Sequence, residues 1–358
     1  MNQRLLGLDL IRLLCFVGIV VFHSTWVIWK GPFGPPDPLP TAIWTYALLY
    51  ARVFAFSGFV IVFLTSFLIG TSWGAERKCG WGRVRTSARI SLAPKLYFIL
   101  GAWLTFCLCV YLREGVFHLM WDVYPLLFVG IVSGRTLLRF PSKRLGFFVM
   151  IAGAMLSVPF WTFSVEKLLP FWWGEVFFGH CPEDYADWPL LPWIGLVWLG
   201  MIGGKTFAEK LKESGGSAFR FRKSEWLIWG PGLCMFIVFS DAYFHTLLGD
   251  GWACYTFRQS PPVFWGHFLF WAFLVRLSFH PLVQRFLNET RLFTWVSHLA
   301  ISRSFYLAYL THFLLIFALV GLLDPQQKAE APWVLNAILL LNLPLTEILV
   351  RFVPRGVV

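Results

Sequence analysis

The chain consists of long, almost uninterrupted hydrophobic stretches separated by short polar connections. Ten stretches can be drawn, approximately at residues 5–29, 42–70, 90–112, 116–134, 145–165, 188–203, 225–240, 262–279, 300–322 and 332–350. Several approach the length of about 20 residues that a helix needs to cross a bilayer. The fourth is interrupted by Asp122 and Pro125, and the sixth and seventh are short. The pattern predicts an all-α, polytopic integral membrane protein with about ten transmembrane helices in a single domain over residues 1–358.

Composition and charge agree with this prediction. Of the 358 residues, 58% are hydrophobic and 14% are charged, against about 45–50% and about 25% in soluble domains. The net charge of +11 does not indicate nucleic-acid binding, because the cations follow the connections. They cluster near residues 77–89, 135–144, 205–223, 276–303 and 351–355, whereas the alternate connections hold one each: Lys30, Arg113, Lys167, Arg258 and Lys328. Since cations collect on the cytoplasmic side, both termini are predicted to be cytoplasmic.

The first hydrophobic stretch contains three residues that membrane spans rarely carry: Asp9, Arg12 and His23. A helix turns about 100° per residue, so the step from Arg12 to His23 returns to within about 20° of one face, and Asp9 lies one turn before Arg12. An ionised side chain at the bilayer centre costs about 2.5–3.5 kcal/mol, so such residues usually face a polar interior. The stripe is either a functional site or a structural ion pair with a packed histidine, and spacing alone does not choose.

The connection over residues 165–187, predicted to lie outside, concentrates acidic and aromatic side chains. Its carboxylates are Glu166, Glu175, Glu183, Asp184 and Asp187. Carboxylates accept hydrogen bonds from hydroxyl and amine groups, and aromatic rings pack on the apolar faces of sugars. The segment therefore fits a sugar or amine acceptor, or else a solvated loop with an interfacial aromatic belt. It also holds Cys181, which lies on the same side as Cys254, although no spacing motif requires a disulfide between them.

Four short motifs resemble those of membrane acyltransferases. They are Asp9-Leu10-Ile11-Arg12 with His23 eleven residues after Arg12, Ser57-Gly58-Phe59, Ser304 with Tyr309-Leu310-Thr311-His312, and Asp187-Trp188-Pro189-Leu190-Leu191-Pro192-Trp193-Ile194-Gly195. The chain is similar to bacterial acyltransferase-3 O-acetyltransferases and, through the fourth motif, to the heparan-α-glucosaminide N-acetyltransferase-like family. We therefore expect an integral protein of a bacterial inner membrane.

The resemblance has three departures. The residue after Arg12 is Leu13 where the family usually has Gly, and no Gly-Ile-Leu-His stretch follows the third span. Asp187 lies two residues before Pro189 where the family pattern has three, whereas Asp184 keeps the Asp-Tyr dipeptide but lies further upstream. Which of these two carboxylates matches the family residue stays open.

The resemblance implies transfer of an acyl group, usually acetyl, from cytoplasmic acetyl-CoA to an amino or hydroxyl group of a sugar or glycan at the outer side. No metal is expected, and the other predicted partner is membrane lipid. His23 with Asp184 or Asp187 would be catalytic, and the residues implied to bind CoA are Arg12, Asp9, Arg83, Arg85 and His312. A helix rises 1.5 Å per residue, so His23 lies roughly 16 Å beyond Arg12, a distance that a pantetheine arm has to cover. His23 is either a general base or an acyl-carrying nucleophile.

Two other classes of function stay open. A transporter or permease would line its substrate path with Asp9, Arg12, His23 and Lys95. An inactive scaffold would keep the fold without catalysis. Other enzyme motifs are missing from the sequence, including Gly-x-Ser-x-Gly, His-Glu-x-x-His and a phosphate-cradling glycine loop.

Overall fold

A computed structural model of the chain describes residues 6–29, 57–76, 92–114, 123–139, 190–213, 223–247, 261–291, 305–321 and 332–352, with residues 293, 295 and 299. These residues form ten α-helices and one 3-10 turn, Lys223–Glu225. The helices are α1 Leu6–Trp29, α2 Ser57–Glu76, α3 Leu92–Glu114, α4 Val123–Arg139, α5 Leu190–Glu213, α6 Trp226–Leu247, α7 Pro261–Ser278, α8 Pro281–Glu289, α9 Phe305–Gly321 and α10 Pro332–Val350. The prediction of an all-α fold is confirmed for this part of the chain.

Helices occur in nine of the ten predicted hydrophobic stretches, and the stretch at 145–165 lies outside the described residues. Of the stretches at 42–70 and 116–134, the structure describes only residues 57–70 and 123–134. The helix α4 starts at Val123, so Pro125 lies in its first turn. Backbone N–H groups in the first turn have no partner within the helix, so the missing N–H of proline costs nothing there. The helix α5 continues to Glu213, past the predicted end at 203, because Lys205, Glu209 and Lys210 are good helix formers. The short helix α8 was not predicted.

A search of the described residues finds no helix with both the length and the apolar character that crossing a bilayer requires. The number of spans and their topology therefore stay predictions.

The chain divides into two compact units. The first contains Met1–Ile61, Phe219–Phe244 and Gly266–Val358, and the second contains Val62–Ala218 and His245–Trp265.

In the first unit, α1 packs against α9 and α10, which also pack against each other, and α8 packs against α1. Gly7 permits the close approach near the start of α1, because a Cβ added there would lie 2.5 Å from the Cβ of Ser278. In the same unit, the rings of Phe236 on α6 and Phe270 on α7 are stacked with centroids 3.9 Å apart. The helix α1 is thus part of a helical core with α8, α9 and α10.

In the second unit, small residues bring helices into backbone contact. A Cβ added to Gly200 on α5 would lie 2.6 Å from the carbonyl oxygen of Phe63, and one added to Gly204 would collide with the carbonyl of Phe67. This four-residue spacing of glycines is typical of tightly crossing helices in membranes. On another face of α5, the Trp198 Nε1–H donates to Ser133 Oγ of α4 at 3.1 Å.

Candidate active site on the first helix

The stripe predicted on α1 begins with an ion pair. Arg12 Nη1 lies 3.7 Å from Asp9 Oδ1, one helical turn away, and the two side chains are only 11% and 13% exposed. Helix geometry explains the pairing, since residues three apart are neighbours on the helix surface. Partial enclosure makes the pair more than a surface contact, because removal of one charge would leave the other poorly solvated.

Phe16 continues the same stripe. It lies seven residues after Asp9 and seven before His23, so at about 100° per residue all four positions from Asp9 to His23 fall within a sector of about 60°. The Phe16 side chain is 2% exposed. The backbone of His23 belongs to α1, whereas its side chain lies outside what the structure describes. The stripe therefore has its charged pair at one end, an aromatic ring in the middle and the position of His23 at the other end.

The tertiary structure brings His312 of α9 to the middle of this stripe. The rings of Phe16 and His312 meet edge to face, with centroids 6.0 Å apart and planes at 89°. His312 also contacts Tyr309 and Phe313, with centroids 4.9 Å and 4.3 Å from its own. Its exposed fraction is 0%. The imidazole is thus enclosed among three aromatic rings, which fits a packing role, and the predicted contact of His312 with the cofactor stays a prediction.

Buried polar residues on α9 and α10 stabilise this region and were missed from the sequence. Asn342 Nδ2–H donates to the carbonyl of Ala308 at 3.5 Å, and the hydroxyl of Thr346 donates to Asn342 Oδ1 at 3.1 Å. Both side chains are fully buried. The signal was the four-residue spacing of an amide and a hydroxyl within a hydrophobic stretch. Their hydrogen bonds link α10 to the turn of α9 that precedes His312, because buried polar groups require partners.

A second enclosed ion pair in the first unit was also missed. Arg276 of α7 donates from Nε to Glu225 Oε2 at 2.9 Å and from Nη2 to Oε1 at 3.0 Å. The Trp229 indole N–H donates to the same Oε2 at 3.4 Å. This bidentate pair joins the 3-10 turn before α6 to the end of α7. From the sequence alone, Arg276 is only one of the cations of a predicted cytoplasmic connection.

The other four predicted site residues of the transferase lie outside the described part of the chain. They are Asp184, Asp187, Arg83 and Arg85. The fourth motif is described from Leu190 onward, where it forms the start of α5. There Trp193 is 2% exposed, so this motif residue belongs to the core of the second unit. No group of His, Cys, Asp and Glu side chains within the described ranges could hold a metal ion.

Comparison with protein families matches residues 4–237 of this chain to the family described as heparan-alpha-glucosaminide N-acetyltransferase, catalytic. No curated protein and no solved structure matches the chain. The matched range contains Asp9, Arg12, Phe16 and His23. His312 and Asn342 lie beyond it, so the helices that pack behind the stripe come from the part of the chain that the family match does not cover.

Proposed function

The chain belongs to the heparan-alpha-glucosaminide N-acetyltransferase family, and from this premise we propose that it transfers an acetyl group from acetyl-CoA to an amino or hydroxyl group of a sugar or glycan. Membership makes the chain a transferase of a membrane-associated family. The observation that carries the finer proposal is the enclosed Asp9–Arg12 pair, which lies within the matched range on the same helical stripe as His23.

We assign the donor end of the site to Arg12. Its guanidinium group can bind phosphate oxygens of CoA through paired N–H donors, which Lys cannot reproduce in the same geometry. Asp9 lies 3.7 Å from it and would orient the guanidinium group. Arg83 and Arg85 would add positive charge for the nucleotide phosphates.

We assign the chemistry to His23, about 16 Å along the helix from Arg12. In a direct transfer, His23 takes a proton from the acceptor amine or hydroxyl, whose lone pair attacks the thioester carbonyl. The C–S bond then breaks, and CoA leaves as the thiol after receiving that proton. In a two-step transfer, a ring nitrogen of His23 forms an acetyl-imidazole with release of CoA, and the acceptor then takes the acetyl group. Asp184 or Asp187 would contact the acceptor.

His312 would position the stripe in either route. Its contact with Phe16 supports α1 midway between the proposed donor end and His23. The resemblance implies that His312 binds the cofactor, and its ring contact with Phe16 supports a further role in positioning α1.

A membrane location is part of the proposal and is supported by exposed apolar surface. On α3, Tyr97 and Leu112 are each 73% exposed, and Leu104 and Leu108 are each 51% exposed on the same face. No charged residue occurs between Tyr97 and Leu112, which are about 22 Å apart along the helix. Water-soluble monomers rarely expose so long an apolar strip. The alternation of cation-rich and cation-poor connections supports the same location.

The decisive experiment measures CoA release and label transfer from radiolabelled acetyl-CoA by the full-length chain in detergent or liposomes, with amino sugars and glycans as acceptors. We expect acceptor-dependent transfer that His23→Ala abolishes and that the matched control His280→Ala preserves. CoA release by the wild type without acceptor, in an amount equal to the enzyme, would indicate the two-step route. Solute uptake by vesicles at the wild-type rate in His23→Ala, without acetyl transfer by either protein, would instead indicate a permease.

A further inference from the structure

The short helix α8 differs from the other helices of the first unit in both length and surface. It has nine residues, begins with Pro281 at its first position, and is capped by His280, whose Nδ1 accepts from the Leu282 amide at 3.4 Å. At its other end, the Thr290 amide donates to the carbonyl of Phe286 at 3.2 Å. The backbone is extended at His280 (φ −68°, ψ 137°) and at Thr290 (φ −91°, ψ 109°), so α8 is interrupted at both ends and is not an extension of α7.

One sector of α8 packs on the protein. Leu287 is 4% exposed, and the Gln284 side-chain amide donates to the backbone carbonyl of Ser278, at the end of α7. The helix also packs against α1. This sector anchors α8 to the unit that carries the stripe.

A second sector is apolar and exposed. Leu282 and Phe286 are 70% and 61% exposed and lie four residues apart, so they share one face. The ring of Phe286 contacts that of Phe293, with centroids 5.7 Å apart. Trp295 extends this surface in sequence and is 60% exposed. An apolar surface of this kind is unfavourable in water.

A third sector is charged. Arg285 Nε lies 2.7 Å from Glu289 Oε1, and both side chains are more than half exposed. At about 100° per residue, Arg285 lies about 60° from Leu282 on the side away from Phe286, and Glu289 lies between them, about 20° from Leu282. The charged pair therefore borders the apolar sector. Arg291 follows the helix and is exposed. Residues 276–303 contain four Arg and only one acidic residue, Glu289, so the segment that carries α8 has a net positive charge.

We propose that α8 lies in the membrane interface, with Leu282, Phe286 and Trp295 among the acyl chains and with Arg285 and Arg291 on the headgroups of anionic phospholipids. The three sectors match three surroundings, namely protein, lipid tails and charged headgroups. The exposed face of α3 lacks the third sector, since it carries no charged residue between Tyr97 and Leu112. The excess of arginine is complementary to an anionic leaflet. The inference rests on the membrane location in the proposed function.

The test uses full-length protein in liposomes, with an environment-sensitive fluorescent amino acid placed at position 286 in one variant and at position 288 in another. Asn288 is exposed on the polar side of α8, so it is the matched control. Lipids with a nitroxide quencher on the acyl chain should quench the label at 286 several-fold more strongly than the label at 288. Replacement of neutral by anionic phospholipid should increase quenching at 286, and the pair Arg285→Gln and Arg291→Gln should remove that increase.

Equal quenching at the two positions would overturn the proposal. Quenching at 286 that does not depend on anionic lipid would overturn the headgroup assignment. Shielding of position 286 from lipid in native membranes, with cross-linking to a protein, would show a protein-docking surface and overturn the proposal as well. Acetyl transfer is measured on the same samples. Active samples without preferential quenching count against α8 alone, whereas inactive samples with preferential quenching count against the proposed function alone.

Discussion

Phe16 on α1 and His312 on α9 meet edge to face, with ring centroids 6.0 Å apart and planes at 89°. The two residues are 296 positions apart in the sequence, and only Phe16 lies in the part that matches the family. Their contact attaches the middle of the polar stripe to a helix outside that range. The geometry of the proposed site therefore depends on the packing of α9 as well as on α1.

This contact predicts different results for two substitutions of His312. His312→Phe keeps a planar ring among Phe16, Tyr309 and Phe313, so stability and the KM for acetyl-CoA should change little. His312→Ala leaves a cavity in a fully buried site and should reduce the free energy of unfolding by about 2–4 kcal/mol. Thermal unfolding in detergent and steady-state kinetics measure the two effects. A several-fold rise in KM for His312→Phe at unchanged Tm would instead show that the imidazole itself binds CoA.

The enclosed pair of Asp9 and Arg12 predicts a larger effect than an exposed pair. Asp9→Asn removes the negative charge 3.7 Å from Arg12, whose side chain is 11% exposed, and we expect a loss of about 1–3 kcal/mol of stability together with a higher KM for acetyl-CoA. The matched control is Glu289→Gln, which removes the exposed pair with Arg285 and should cost about 0.3–0.5 kcal/mol. Equal losses in the two variants would contradict the prediction, since enclosure would then have no effect.

For Arg12 itself, Arg12→Lys tests whether geometry or charge matters. Lysine keeps the charge but not the planar donor pair, so we predict a several-fold rise in KM for acetyl-CoA with a smaller change in kcat. Arg351→Lys, in an exposed position after α10, should leave both constants unchanged. An Arg12→Lys enzyme with wild-type kinetics would remove the phosphate-binding assignment.

The crossing of α2 and α5 predicts a strong dependence on residue size at position 204. Gly204→Ala places a Cβ against the backbone of Phe67, and the helices must separate, at a cost of about 1–3 kcal/mol. Gly101→Ala on α3 is the matched control, because nothing lies within 4 Å of its added Cβ. That control should stabilise the helix by about 0.5–1 kcal/mol. Unfolding of the two variants in the same detergent gives the comparison, and a stable Gly204→Ala variant would mean that the helices do not approach this closely.

The hydrogen-bonded pair of Asn342 and Thr346 predicts a graded loss. Asn342→Leu removes both the link to Ala308 and the acceptor for the Thr346 hydroxyl, so it should cost about 1–2 kcal/mol. Thr346→Val removes one donor and should cost less. Asn288→Leu, at an exposed position on α8, is the control and should have little effect. If Thr346→Val is the more damaging of the two buried changes, the amide is not the centre of this network.

The positions of most helices could be predicted from the local sequence. The hydrophobic pattern located nine described helices because apolar residues in long stretches favour helices whatever their neighbours, and the boundaries of α1 and α10 agree with those predicted to within one residue. Errors occurred where hydropathy does not decide the structure. The charged end of α5 is helical because its residues have high helix propensity. The helix α8 has only nine residues, so its amphipathic pattern is lost when hydropathy is averaged over the length of a membrane span.

The sequence by itself determined the family, because the family match depends on sequence alone. It also determined the stripe, because helical periodicity alone places Asp9, Arg12 and His23 on one face. Only the tertiary structure decided what faces that stripe. The contact of Phe16 with His312, the link from Asn342 to Ala308 and the pair of Glu225 with Arg276 each join distant segments. Such contacts depend on which helix faces pack together. Local periodicity assigns a residue to a face of its own helix but contains no information about the helix on the other side.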